Sequence, residues 1–123
     1  NTSTGSPAPL ILRNDGNTYL NVSINFSTLF SSVSMPSSNY QFKINRTAAD
    51  CFVDSGTLTS WTNANASATL AINRLNFTSG YQTGCRNASV DLFVSVPMNE
   101  IAGRKSSIIT FISSLGEPGV GSD

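Results

Sequence analysis

Apolar and polar residues alternate one by one along most of this chain, and that period admits little besides β-strands. From Thr18 to Thr28, Leu20, Val22, Ile24 and Phe26 alternate with Tyr19, Asn21, Ser23 and Asn25. From Tyr40 to Arg46, Tyr40, Phe42 and Ile44 alternate with Gln41, Lys43 and Asn45. A strand turns successive side chains to opposite faces, so each row predicts one buried face and one wet face. No long window places apolar residues at the helical i, i+3, i+4, i+7 spacing, and residues of low helix propensity dominate.

The same reading predicts further strands. Pro9 to Arg13 carries Leu10 and Leu12 on one face and Ile11 on the other. Ser67 to Leu75 turns Leu70 and Ile72 inward. The strand opening at Asn87 turns Val90, Leu92, Val94 and Val96 inward and Phe93 outward. Ser106 to Ser113 is apolar on both faces, through Ile108, Ile109, Phe111 and Ile112. Asn14-Asp15-Gly16-Asn17 is a turn, since Asp-Gly accepts the left-handed backbone that tight turns need. Ala48 to Thr62, with Cys51, Phe52, Val53, Leu58 and the single Trp61, fits no clean pattern. About seven short strands separated by turns predict an all-β antiparallel sandwich. At 123 residues the chain is one domain. The expected limits are a flexible or donated leader at 1–8, the sandwich at 9–114 and a Gly/Pro tail at 115–123.

Composition narrows the chemistry. The chain has no histidine, so it lacks an imidazole base or ligand. Seven basic residues balance seven acidic ones, and the arginines are scattered, which gives no footprint for nucleic acid. No stretch approaches the ~20 apolar residues of a membrane-spanning helix. No nucleophile elbow, phosphate loop or dinucleotide fingerprint is present. Among the carboxylates only Asp50 and Asp54 are close in sequence, and two solvated loop acids are the simpler reading of them than a Ca²⁺ site. No enzymatic activity, metal or cofactor is expected. Trp61, Tyr19, Tyr40, Tyr81 and Phe93 are candidate sugar contacts, although a lone Trp in a small sandwich is more often core or a lid on it.

Two further features place the chain outside the cell. Cys51 and Cys85 fit no zinc or redox spacing. Paired, they close a loop of about 35 residues, for which the chain-entropy estimate is roughly 3–4 kcal/mol. The sequence N-x-S/T occurs seven times, at Asn1, Asn21, Asn25, Asn45, Asn65, Asn76 and Asn87, where chance in so Ser- and Thr-rich a chain gives about three. Asn21, Asn25 and Asn45 fall on the polar faces of their strands. N-glycans are therefore expected as the covalent additions. The chain begins with Asn1 rather than Met, as expected of a trimmed leader or an excised segment.

Phe93 and the two-faced last strand predict surfaces that another chain covers. Leu10, Ile11 and Leu12, behind a polar leader, form a short apolar segment able to join its own sheet or a neighbour's edge by strand addition. Ile108 and Ile112 complete the expected assembly contacts. The segments LRNDGNTYLNVSINFSTLF and VSVPMNEIAGRKSSIITFISS resemble the opening and closing strands of small immunoglobulin-like sandwich domains in secreted archaeal surface proteins. The resemblance covers about a third of the chain and implies an extracellular, glycosylated module of a cell-envelope layer, appendage or adhesin. The expected function is a structural subunit of an extracellular filament or surface assembly, with copies of itself as partners. The alternative is a carbohydrate-binding or adhesin module of a larger surface protein.

Overall fold

The computed structural model describes residues 4–5, 9–46, 51–77 and 85–115. They contain eight strands and no helix: β1 (Thr4–Gly5), β2 (Leu10–Arg13), β3 (Leu20–Phe26), β4 (Tyr40–Arg46), β5 (Thr62–Asn63), β6 (Thr69–Leu75), β7 (Asn87–Ser95) and β8 (Ile109–Leu115). Every pairing is antiparallel. One sheet runs β7-β4-β5, with β1 and β2 side by side in sequence along the other edge of β7; the second runs β6-β3-β8. The expected two-sheet sandwich is present, and Cys51 is bonded to Cys85. The chain crosses between the sheets from β2 to β3, β3 to β4, β5 to β6, β6 to β7 and β7 to β8, so the last two strands lie in opposite sheets.

The inner faces are the apolar rows of the sequence. Val22, Ile24 and Phe26 of β3 meet Tyr40, Phe42 and Ile44 of β4, and all six are buried. Phe26 packs on both Phe42 (5.0 Å between ring centroids) and Tyr40 (5.3 Å, edge-on). Ala88 and Val90 of β7 and Cys51 complete the cluster. Asn14 is buried at the foot of the first long turn. Its amide nitrogen donates to the carbonyls of Thr18 and Leu75, and its oxygen accepts from the Gly16 N–H.

β6 departs from the expected parity. Its pairing with β3 slips by one residue on either side of Val22. The irregularity turns both Ala71 and Ile72 into the core and puts Leu70 opposite Ser23 on the outer face, 40% exposed. Leu70 is therefore an outer-face residue, not the core residue that simple alternation predicts. The 51–63 segment, which had no readable period, runs along the edge of β6 and then crosses to β4. The Val53 and Leu58 amides donate to the carbonyls of Asn73 and Ala71, and Ile44 N–H donates to Leu58 O. Gly56, at φ 87°, makes the reversal within this strap. The last strand also begins and ends later than expected, so Leu115 belongs to the sheet rather than to the tail. Residues 116–123 lie outside the described residues.

Candidate assembly edge and glycosylation sites

A two-sheet sandwich has two open sides, and the described residues close one of them. On the β6/β4 side, the strap from Cys51 to Asn63 takes up edge hydrogen bonds of both sheets. On the opposite side lie the outer edges of β2 and β8. β8 pairs with β3 and, among the described residues, with nothing else. The first strand, β1, pairs with β7, Thr4 opposite Ser95, and not with β8.

The chemistry of this edge differs from that of a protected one. Edge strands are normally blunted by charge, proline or a bulge. β8 reads Ile-Thr-Phe-Ile-Ser-Ser-Leu, with neither charge nor proline. Its register with β3 turns Ile109, Phe111, Ser113 and Leu115 toward the other sheet. Ile109 and Phe111 pack on the core, yet Leu115, on the same face, is 74% exposed. Ile108 just before the strand and Ile112 on its outer face are also exposed. The sequence identified both isoleucines. It did not single out Leu115, because parity says which face a residue takes and not whether a second sheet reaches over it.

The other expected assembly residues are placed differently. Leu10, Ile11 and Leu12 pair with Val90, Ser89 and Ala88 of their own β7. Leu12 packs on the core, while Ile11 is 59% exposed on the outer face. The segment thus forms an edge of its own sheet, and the leader contributes Thr4–Gly5 to the same sheet. Phe93 points outward as expected but is covered by Trp61, at 5.9 Å between ring centroids. Trp61 in turn is not core. It lies over the outer face of the larger sheet, 40% exposed, with the Lys43 ammonium 4.7 Å from its ring centroid.

Three of the sequon asparagines share a geometry. Arg74 N–H donates to Asn21 Oδ1 (3.0 Å), Ser67 N–H to Asn65 Oδ1 (3.2 Å) and Phe77 N–H to Asn76 Oδ1 (2.8 Å). A backbone donor fixes the carboxamide oxygen, and so the orientation of Nδ2, the atom that carries a glycan. Asn14, Asn39 and Asn73, which are not in sequons, do the reverse: each spends Nδ2 on a backbone carbonyl. Asn25 and Asn21 lie on the outer face of β3, opposite Thr110 and Ser114. Asn45 lies on the outer face of β4, where Nδ2 donates to Asp91; a glycosylated amide keeps one N–H for such a bond. Asn87 opens β7, half-buried, with Oδ1 unpaired among the described residues. Asn76 is the exception among the expected sites. At 6% exposure it is buried at the end of β6, with no room for a sugar unless its neighbours move. Asn1 lies outside the described residues.

The described carboxylates are each committed to a different partner. Asp15 pairs with Arg13, Asp54 with Arg46, Asp91 with Asn45 and Glu100 with Lys105. Asp50, Tyr81, Glu117 and Asp123 lie outside the described residues. Glu100 was not singled out from sequence. Its carboxylate side chain is 1% exposed and accepts from the Ser31 and Ser32 amides and the Ser31 hydroxyl, pinning the loop before β8 to the loop after β3. Lys105 and these donors hold its carboxyl well below the usual carboxylate range. Among the described residues no helix is long and apolar enough to cross a membrane. No protein-family model, curated protein or solved structure matches the chain.

Proposed function

We propose that the chain is a glycosylated structural subunit of an extracellular assembly that polymerises through its β-strand edges, of the kind found in archaeal surface layers and appendages. The observation that carries the reading is the outer edge of β8: uncharged, proline-free and flanked by the exposed Ile108, Ile112 and Leu115. An added strand would satisfy its backbone groups and cover Leu115 at once. The added strand is an N-terminal segment supplied by a neighbouring copy. The outward sequons and the Cys51–Cys85 bond support an oxidising, extracellular setting. Glycans on the outer faces of β3 and β4 leave the edges for assembly.

Ile112→Lys combined with Leu115→Lys tests this directly. Charged edges resist pairing. The double variant is expected to remain a folded, disulfide-bonded monomer and to form no filaments or sheets under the electron microscope, where the native protein does. Assembly unchanged by both substitutions contradicts the reading.

The exposure of Trp61 favours a second reading, a carbohydrate-binding or adhesin module of a larger surface protein. That reading expects a soluble monomer whose sugar binding is lost in Trp61→Ala.

A further inference from the structure

The outer face of the larger sheet holds an aromatic platform that neither core nor edge explains. Lys43 of β4 and Phe93 of β7 point outward, and Trp61, arriving on the strap, lies over both. The ammonium and the phenyl ring both come from the sheet and hold the indole against it. Trp61 is 40% exposed, so part of the indole is left to solvent. Its borders are polar. Gln41, opposite Phe93, donates to Asn63 Oδ1 (2.8 Å) on one side, and Asp91, opposite Lys43, lies on the other. A flat apolar face with amide and carboxylate groups beside it is the chemistry that receives a sugar ring, whose C–H face is apolar and whose hydroxyls point outward.

The same sheet face offers the sugar. Asn45 is a sequon residue on β4, two residues beyond Lys43 and turned to the same side. Two residues along a strand are about 7 Å apart, within reach of the first sugars of a glycan on Asn45. We infer that the N-linked glycan of Asn45 folds back onto Trp61, so that the indole seats a sugar of the chain's own glycan. This rests on the chain being a glycoprotein and adds where one of its glycans lies.

Trp61 is the single tryptophan, so indole fluorescence reports on this site alone. The probe is acrylamide quenching of the native glycoprotein, compared with Thr47→Ala and Asn45→Gln, each of which destroys the sequon. Thr47→Ala leaves the Asn45 carboxamide and its bond to Asp91 available; Asn45→Gln replaces that carboxamide. With Asn45 occupied in the native protein, both variants are expected to roughly double the quenching constant, because one ring face is newly bared. Occupied Asn45 with equal quenching in native protein and variants overturns the inference and leaves the glycoprotein reading intact. A bare Asn45 beside other occupied sequons has the same effect. If every sequon is bare, both fall together.

Discussion

Individual side chains in this protein divide by what their polar atoms are given to do. Asn14, Asn39 and Asn73 use Nδ2 to hold backbone carbonyls, whereas Asn21 and Asn65 anchor through Oδ1. Glycopeptide mass spectrometry is expected to find Asn21 and Asn65 occupied and the buried Asn76 bare. An occupied Asn76 would show that the end of β6 opens more than its burial allows. Glu100 makes a second residue-scale prediction. Its carboxyl titrates far below the ordinary value of 4.5, held down first by Lys105 and then by Ser32. Above that ordinary value the folded and unfolded chains are both ionised, and the network contributes in full. As pH falls below it, the unfolded chain takes up a proton that the folded chain does not, so the contribution shrinks and disappears once the folded carboxyl titrates. Glu100→Gln should lower the melting temperature at neutral pH, and the gap from the native protein should close in strong acid. A gap that is constant with pH would contradict this assignment.

At the scale of elements, stability rests on the meeting of β3 with β4 and on the strap. Phe42 is wedged beside Phe26 in the core, and Phe42→Ala is expected to cost about 3–5 kcal/mol in denaturant unfolding. Replacing Cys51 and Cys85 together by Ser should cost roughly 3–4 kcal/mol. A negligible loss would mean that the backbone bonds of the strap suffice to hold it. The long strands β3, β4 and β7 were legible in the sequence because one face of each is buried and period two records that directly. β6 was not, because its slip against β3 breaks the parity that carried the reading, and Leu70 left the core with it. The strap was opaque for another reason. Before the two-residue β5 it meets β6 and β4 through isolated backbone hydrogen bonds, and such bonds impose no pattern on side chains. Trp61 misled for the same cause: its outward partners Lys43 and Phe93 were visible on their strands, but nothing in the sequence shows the strap crossing over them.

Among the described residues the sandwich is covered along the β6/β4 side and β8 pairs with β3 alone, and it is this second side that carries the function proposed for the molecule. Sheet membership was invisible in the sequence, since alternation looks the same in either sheet; the strand order, and with it the pairing of β8 with β3 alone among the described residues, emerges only from the structure. Low charge and outward-facing sequons agree with the proposal of a molecule that meets its copies edge to edge while its faces stay hydrated. Cryo-electron microscopy of the native material tests this most directly. The account predicts an ordered polymer in which a strand from the neighbouring subunit lies along β8 and covers Leu115. A monodisperse monomer, or a polymer in which the outer edge of β8 faces water, would contradict it.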